Sequence, residues 1–440
     1  MNRLALALAL PLALAVGQQQ LLLRLPPRLV ALQQSEASSG PASLELRFSR
    51  PMDRASVAAS SQLQPPFNVR WLGNGNRLKL SLAPGSRITG PIRLTLAGRD
   101  RRGAALPPSR WLWDPRPRIL AVVPVRGGEQ LQLQQADGRW QAISPVWSQI
   151  LAVEPIGDGS GVALVSRSAA GQQIWTIPLQ QRNLAPASQG LAPVRAQAPI
   201  ALGDGRALFA HLSSNRRGDL LIQSGGPEPM SAQTLLWPKG QRPRPLAIEA
   251  SGPMRLLPQG GAVVVPASEG LTLHDLPPRP PRLQTLPGSR DLSSFCPRAG
   301  RALLVRHWPA FRRSLELVEP GQAPRQLWLG SQALVASSCL GGGERLWLAQ
   351  IEGIARPELT VLELDRQGRT QARRSLSTWE LEPGTPISLD PSRYQLLLVL
   401  RPLGRPGSRP PSPELMLMAG PDLALTPVGQ RSRLALWLPP

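Results

Sequence analysis

The sequence predicts an all-β protein built as an N-terminal β-sandwich followed by a six- or seven-bladed β-propeller. Proline and glycine supply 50 and 40 of its 440 residues, and both interrupt helices and mark the turns between short strands. Hydrophobic residues make up 42% of the chain, which is enough for a packed core. After about residue 115, apolar segments recur at intervals of 40–55 residues, a spacing typical of four-stranded propeller blades.

The chain begins with the pattern of an export signal. A basic Arg3 precedes an apolar run of mainly leucine and alanine over residues 4–16, and Ala15 and Gly17 place small residues where a signal peptidase cleaves. This pattern predicts export to the periplasm or the cell surface. Because the run is shorter than the roughly 20 residues that span a bilayer, an uncleaved signal that anchors the protein is the alternative.

Five short segments between residues 43 and 113 alternate apolar with polar side chains, which is typical of strands in a small β-sandwich. Turn signals such as Asn74-Gly75 and Pro84-Gly85 separate them. The predicted strands are 44–48, 68–71, 77–82, 92–96 and 111–113.

Two motifs in this region carry a family resemblance. Residues 46–57 read Leu-Arg-Phe-Ser-Arg-Pro-Met-Asp-Arg-Ala-Ser-Val, and residues 100–103 form an Asp-Arg-Arg-Gly turn before Trp111 and Trp113. The region resembles the bacterial Ig-like domains of the S-layer-associated type over about 70 residues. The resemblance implies an Ig-like sandwich that acts as an extracytoplasmic spacer or adhesion module and carries no catalytic residues.

The remainder of the chain repeats a polar turn, an apolar strand, a polar gap and a second apolar strand. A further unit at 119–143 and the final strand at 433–438 are predicted to combine in one blade and so close the ring. The Asp-Gly turns at 158–159 and 204–205 resemble the repeat of TolB-type propellers. The first strands of the repeats begin near 162, 207, 262, 302, 346 and 396.

These patterns divide the chain into four predicted parts. They are a signal peptide at 1–17, a linker at 18–40, an Ig-like sandwich at 41–115 and a propeller at 116–440.

The sequence contains two cysteines, Cys296 and Cys339, which lie 43 residues apart at equivalent places in neighbouring repeats. Export would place them where disulfides persist. A bridge is possible near the central axis of a propeller, where neighbouring blades are close. Two buried free thiols are the alternative.

Residues that could carry chemistry are scattered. His211, His274 and His307 are isolated from one another, and neither a metal-ligand spacing nor a nucleophile motif is present. We therefore predict no catalytic residue, no metal and no cofactor. Asp158, Asp204 and Asp390 occupy similar turns and could serve a glycosidase, but turns favour aspartate for backbone reasons.

Twelve tryptophans against one tyrosine and five phenylalanines are the most informative aromatic feature. Five lie at predicted strand edges or in loops, where they are candidate contacts for a sugar or a protein, although burial in the core is the simpler interpretation. These candidates are Trp140, Trp147, Trp237, Trp308 and Trp379.

The formal charge of +22 comes from 50 basic and 28 acidic residues, and only Lys79 and Lys239 are lysines. The arginines are spread along the chain, which favours a general attraction to anionic polysaccharide or membrane surfaces. The export signal argues against a nucleic-acid partner. The sequence thus predicts a monomeric, exported, non-catalytic binding or scaffold protein of the bacterial envelope that binds an envelope protein or anionic polysaccharide. A propeller hydrolase acting on envelope glycan or peptide is the alternative.

Overall fold

The computed structural model describes residues 25–35, 37, 40–226, 228, 231–278, 280, 282–353, 357–404 and 410–440. The predicted signal peptide and the first part of the predicted linker lie outside these residues. Within them, no helix is long and apolar enough to cross a membrane.

The N-terminal part consists of two four-stranded antiparallel sheets. One has the order β1-β2-β5-β4, and the other contains β3, β6 and β7 with a strand from further along the chain. The elements are β1 (Leu29–Ser35), β2 (Ser43–Phe48), α1 (Arg54–Ser60), β3 (Gln62–Gln64), β4 (Val69–Asn74), β5 (Arg77–Leu82), β6 (Ile92–Arg99) and β7 (Ala105–Trp113).

Alternate residues of the two sheets face each other and form one core. Leu44 and Leu80 from the first sheet pack with Leu94 and Trp113 from the second, and all four are almost fully buried. Helix α1 was not predicted. It is capped by Asp53, whose carboxylate accepts the N–H of Ala55 at 3.0 Å.

The predicted boundaries of this part need two corrections. Strand β1 lies within the predicted linker 18–40 and pairs with β2 from Ser35 to Leu29. It is an edge strand with one exposed face, and Val30 is 56% exposed, so its sequence lacks the alternation of a half-buried strand. The second correction concerns β14 (Leu184–Pro186), which comes from the predicted propeller but pairs with β7.

Seven further sheets follow in the described part of the chain, and we number them I to VII. Sheet I contains β8 (Arg118–Val125), β9 (Gly128–Gln134) and β10 (Trp140–Ala142); sheet II contains β11 (Ile150–Pro155), β12 (Gly161–Ser168), β13 (Gly171–Arg182), β15 (Ala192–Ala196) and β16 (Ile200–Ala207); sheet III contains β17 (Phe209–Ser214), β18 (Leu220–Gly225), β19 (Gln233–Trp237) and β20 (Arg244–Pro245); and sheet IV contains β21 (Arg255–Leu256), β22 (Ala262–Ala267), β23 (Gly270–Asp275) and β24 (Leu283–Pro287).

The last three sheets continue the same antiparallel order. Sheet V contains β25 (Arg290–Phe295), β26 (Ala302–His307), β27 (Arg313–Val318) and β28 (Arg325–Gly330); sheet VI contains β29 (Ala333–Leu340), β30 (Arg345–Glu352), β31 (Glu358–Asp365) and β32 (Thr370–Leu376); and sheet VII contains β33 (Trp379–Leu381), β34 (Ser388–Asp390), β35 (Gln395–Pro402), β36 (Glu414–Ala419) and β37 (Ala424–Arg431).

The chain ends with β38 (Leu434–Leu438), which pairs with β8 and supplies the first strand of sheet I. Leu436 lies opposite Leu120 in this pair. The predicted pairing of the final strand with the first unit is therefore present, and it joins the two ends of the array. Successive four-stranded sheets joined in this way form a β-propeller.

One predicted repeat is out of register. The apolar segment that begins near residue 207 belongs to the end of β16 and the start of β17, which is the first strand of sheet III. The strand equivalent to β12 is β18, which begins at Leu220. The Asp204-Gly205 pair was misleading because it lies within β16, an additional strand that pairs with β13.

A disulfide joins Cys296 to Cys339, with the Cα atoms 5.0 Å apart. Cys296 directly follows β25 and Cys339 lies in β29, so the bridge connects the first strands of sheets V and VI. Both residues are buried in one apolar cluster.

Buried charges join the sandwich to the propeller. The carboxylate of Asp114 accepts from Arg116 Nε at 2.7 Å and from Arg118 Nη2 at 3.1 Å, and all three side chains are buried. Burial alone would raise the pKa of Asp114, but the hydrogen bond and charge of Arg116, together with Arg118, lower it. The guanidinium of Arg116 also donates to the carbonyl of Thr89 in the sandwich. The sandwich is thus attached to the propeller through buried charges.

The sandwich lies on one defined face of the propeller. Its Ile88 N–H donates to the carbonyl of Ser392, and its Gly85 N–H donates to the hydroxyl of Tyr394. In sheet VII, β33 and β34 together form the first strand, because both pair with β35. Both partners lie between β34 and β35, and β14 lies between β13 and β15, the third and fourth strands of sheet II. In an antiparallel sheet these loops emerge at the same edge. We call this side the sandwich face and the opposite side the open face.

Candidate functional site: the central channel

A channel runs between the first strands of the seven sheets and encloses a cavity of about 930 Å³. Each sheet contributes to its wall. The contributing segments are 434–436 from sheet I, 151–154 from sheet II, 210–212 from sheet III, 253–255 from sheet IV, 291–293 from sheet V, 334–337 from sheet VI and 381–386 from sheet VII.

Much of the channel wall is apolar. The aliphatic side chains come from different sheets, and two proline rings add to them at the turn that precedes β34. These wall residues include Leu151, Leu212, Leu334, Leu436, Pro383 and Pro386. Such a wall favours contact with apolar groups of a ligand.

Glu154 lies in the channel wall and faces a basic residue from another sheet. Its carboxylate is 3.9 Å from Arg255 Nη1 and accepts the backbone N–H of Ser214 at 2.7 Å. Burial raises the pKa of Glu154 to about 6, against the opposing effects of Arg255 and the Ser214 N–H. The carboxylate of Glu154 therefore connects sheet II to sheets III and IV at the channel wall.

Two of the three histidines line the channel. His307 Nε2 lies 2.7 Å from the carboxylate of Asp291. His211 has a lowered pKa because of burial and the nearby charge of Arg255. His274 lies elsewhere, 3.0 Å from the hydroxyl of Thr272 in sheet IV. Among the described residues, no three His, Cys, Asp or Glu side chains are placed to hold a metal ion.

The remaining polar groups of the channel also have partners. Glu382 forms an ion pair with Arg401 Nη2 at 2.5 Å. The hydroxyl of Ser337 is hydrogen-bonded to those of Ser293 and Ser294, at 2.7 and 2.9 Å. Each of the three carboxylates thus faces its own basic group: Glu154 faces Arg255, Asp291 faces His307 and Glu382 faces Arg401. Glycoside hydrolysis uses two carboxyl groups that flank one bond, whereas each of these carboxylates lies beside a basic group.

The five candidate tryptophans are not brought together. Trp140, Trp147, Trp237 and Trp379 pack against four different apolar clusters. Trp147 also contacts Trp175, with ring centroids 5.4 Å apart. None of these tryptophans lines the channel cavity.

Trp308, the fifth candidate, lies in the loop between β26 and β27. Its indole N–H donates to Ser314 Oγ at 2.8 Å, and the guanidinium of Arg306 lies 3.7 Å from its ring centroid. The ring is therefore occupied by a cation from the same chain.

The three turn aspartates lie apart and each holds local backbone. Asp158 accepts from Ser160 and pairs with Lys239, and Asp204 accepts from the Arg206 N–H. Asp390 is fully buried near the junction with the sandwich, where burial raises its pKa. They do not form a carboxylate pair at the channel.

Four exposed apolar side chains lie on the open face, and one of them, Val335, lines the channel cavity. Phe311 is 88% exposed in the loop between β26 and β27, and Leu403 is exposed beyond β35. Phe209 and Val335 lie near the starts of β17 and β29, and Val335 lines the cavity itself. Because the starts of the first strands lie at the edge opposite the sandwich, all four belong to the open face.

Comparisons with known proteins reproduce only the general fold. No protein-family model and no curated protein matches the chain. Among solved structures, TolB from Acinetobacter baumannii is similar over 66% of this chain and 77% of its own, at 13% identity and a TM-score of 0.39. The β-propeller domain of the Trilobed protease from Pyrococcus furiosus is similar over 78% and 96%, at 10% identity and a TM-score of 0.44.

A third similar structure is a putative 6-phosphogluconolactonase from Bacteroides uniformis. The similarity covers 74% of this chain and 100% of that one, at 11% identity and a TM-score of 0.46. The structures similar to this chain thus include proteins named as enzymes and proteins with other names, all at low sequence identity to it. The site must be interpreted from its own residues.

Proposed function

We propose that this chain is an exported, non-catalytic binding protein of the bacterial envelope, whose seven sheets are the blades of a propeller ring. Its channel binds an extended segment of a partner protein from the open face. The observation that carries this proposal is the channel itself, which combines a cavity of about 930 Å³ with an apolar wall and paired charges.

The size and chemistry of the channel favour a protein segment over a glycan. Binding cavities for small ligands measure roughly 300–1,000 Å³, which is also enough for a few residues of an extended chain. The exposed apolar side chains of the open face, Phe311 above all, provide the kind of anchor that protein interfaces use. An anionic glycan would favour unpaired cations in the wall, whereas Arg255 in the wall faces the carboxylate of Glu154.

The sandwich occupies the opposite face. We propose that it has an Ig-like fold and is a fixed part of the body that leaves the open face free. Its attachment through Asp114 and through the pairing of β14 with β7 holds it over sheets VII, I and II. A partner segment would therefore enter the channel from the open face.

Export is supported by the sequence and by the cysteines. The predicted signal at 1–17 directs the chain out of the cytoplasm. The bridge between Cys296 and Cys339 is of a kind that persists in oxidising compartments.

Site-specific photo-crosslinking in living cells tests the binding function. A photoreactive phenylalanine analogue replaces Val335 at the channel mouth or, as a matched control, Leu72 on β4 of the sandwich. The two side chains are 40% and 42% exposed, so they differ mainly in position. We expect a protein adduct from position 335 and none of the same mass from position 72.

The captured protein is then tested with purified components. We expect Val335→Asp to weaken its binding by roughly tenfold or more, because a charge would be buried against the apolar wall. Leu72→Asp should leave the affinity unchanged. A polysaccharide adduct at position 335, an equal protein adduct at both positions, or no adduct at position 335 would contradict the proposal.

A further inference from the structure

Neighbouring sheets of the propeller are held together by buried apolar clusters. Within the described residues, one cluster joins each of the pairs I–II, II–III, III–IV, V–VI, VI–VII and VII–I. Sheets III and IV, for example, share a cluster that contains Leu221, Leu236 and Val263. None of these clusters contains residues of both sheet IV and sheet V.

A cavity of about 520 Å³ lies between sheets IV and V instead. Apolar side chains from both sheets line it, with sheet IV contributing from β22, β23 and β24 and sheet V from β25, β26 and β27. The most informative lining residues are Leu273, Leu286, Leu292, Phe295, Leu304 and Val318.

The lining side chains are incompletely covered by the protein. Leu304 is buried, but Leu273, Leu286, Leu292 and Phe295 remain half-buried and belong to none of the apolar clusters of the described chain. At the other sheet pairs, equivalent apolar surface is covered by the neighbouring sheet. The cavity therefore exposes apolar surface along the length of several strands, which suits an unbranched hydrocarbon chain.

One end of this cavity is basic. Glu319 lines it and accepts from Arg301 Nε at 3.0 Å and from Arg366 Nη2 at 2.7 Å. Arg325 Nη2 is 3.7 Å from the same carboxylate. Three guanidinium groups around one carboxylate leave an excess of positive charge, which complements an anionic headgroup.

We propose that the cavity between sheets IV and V is a binding site for a single-chain anionic amphiphile, with its alkyl chain in the cavity and its headgroup at the arginines around Glu319. A long-chain fatty acid has this chemistry. The proposal does not depend on the function of the central channel, because different residues line the two cavities, apart from Leu292.

Isothermal titration calorimetry with laurate tests the proposal on the purified full chain. Laurate is used below its micelle concentration, and dodecyltrimethylammonium serves as a cation with the same alkyl chain. We expect laurate to bind with a stoichiometry of one and the cation to bind at least about fivefold more weakly.

Two variants locate the bound chain. Leu273→Trp fills the cavity and should weaken laurate binding by roughly tenfold or more. Leu329→Trp makes the same exchange on β28 outside the cavity and should change the affinity by less than about twofold. If Leu273→Trp does not fold, as judged by circular dichroism, Leu286→Trp on the neighbouring strand replaces it.

Arg301→Gln examines the headgroup site. It should weaken laurate binding while leaving that of dodecyltrimethylammonium unchanged or stronger. Absence of laurate binding, equal affinity for both amphiphiles, or laurate binding that survives the filled cavity would overturn the proposal. Binding of an apolar protein segment in place of laurate would also overturn it.

Discussion

Sheet V contacts its two neighbours in very different ways. Against sheet VI it has a continuous buried cluster that includes Leu315 and Leu348, a disulfide from Cys296 to Cys339, and Glu319 bonded to arginines of both sheets. Against sheet IV it has a cavity lined by half-buried side chains. Repetition of one structural unit therefore does not give uniform packing around the propeller.

The outer strand of sheet IV helps to explain the difference. Strand β24 presents Gln284 and Thr285 to the cavity, and its Leu283 is exposed. Polar and outward-facing side chains cannot complete an apolar cluster with sheet V. The propeller tolerates this gap because β38 closes the array elsewhere, through its pairing with β8.

The largest expected effect comes from removing the covalent link between sheets V and VI. The double variant Cys296→Ala with Cys339→Ala opens a loop of 43 residues and should lower the free energy of unfolding by about 2–4 kcal/mol. Urea unfolding of the variant and the oxidised protein measures the loss. Equal midpoints would show that the bridge does not stabilise this contact.

A matched pair of truncations compares the two sides of sheet V directly. Leu315 in β27 lies in the cluster with sheet VI, whereas Leu273 in β23 is half-buried and lines the cavity. We expect Leu315→Ala to cost about 3 kcal/mol and Leu273→Ala about 1.5 kcal/mol, because the second side chain is less buried and loses fewer packing contacts.

Chemical denaturation at pH 7 measures both free energies of unfolding. An unchanged m-value, the slope of the free energy of unfolding against denaturant concentration, confirms that each variant still unfolds in the same manner. An equal or larger cost for Leu273→Ala would contradict the description of the contact between sheets IV and V as loosely packed.

The smallest expected effect concerns Glu319, which lines the cavity beside sheet IV and also binds Arg366 of sheet VI. Burial alone would raise its pKa, but the hydrogen bond of Arg301 and the charges of Arg366, Arg301 and Arg325 lower it. A lowered carboxyl pKa stabilises the folded state above the unfolded value of 4.5, and this contribution is lost as the pH falls through the folded pKa.

Glu319→Gln should therefore destabilise the protein by about 1 kcal/mol at pH 7 and by progressively less as the pH falls below 4.5. The measurement is the difference in melting temperature between variant and natural protein across this range. A difference that stays constant with pH would show that the ionised carboxylate does not contribute.

Much of the fold could be predicted from local pattern. The segment 77–82 alternates apolar and polar residues, and β5 has the same bounds, Arg77–Leu82. The predicted pairing of the last strand with the first unit is also present, since β38 pairs with β8. In contrast, β1 and α1 were missed because an exposed edge strand and a short helix of seven residues leave little periodic signal.

The sites could not be predicted in the same way. The channel is lined by residues that are far apart in the sequence, such as Glu154, Arg255 and Asp291. No local motif indicates that they lie together. The five candidate tryptophans were chosen by their places at strand edges, yet four of them cover apolar clusters. The cavity between sheets IV and V arises from side chains that fail to meet, which requires the register of both sheets to be known.

Hydrogen exchange measured by mass spectrometry tests the contrast between the two sides of sheet V most directly. Backbone amides of β23 and β24 beside the cavity should exchange faster than those of β29 and β30 beside sheet V, because fewer buried contacts oppose local opening. Added laurate should slow exchange in β23 and β24 and leave β29 and β30 unchanged. Equal exchange on both sides, with no effect of laurate, would contradict the account.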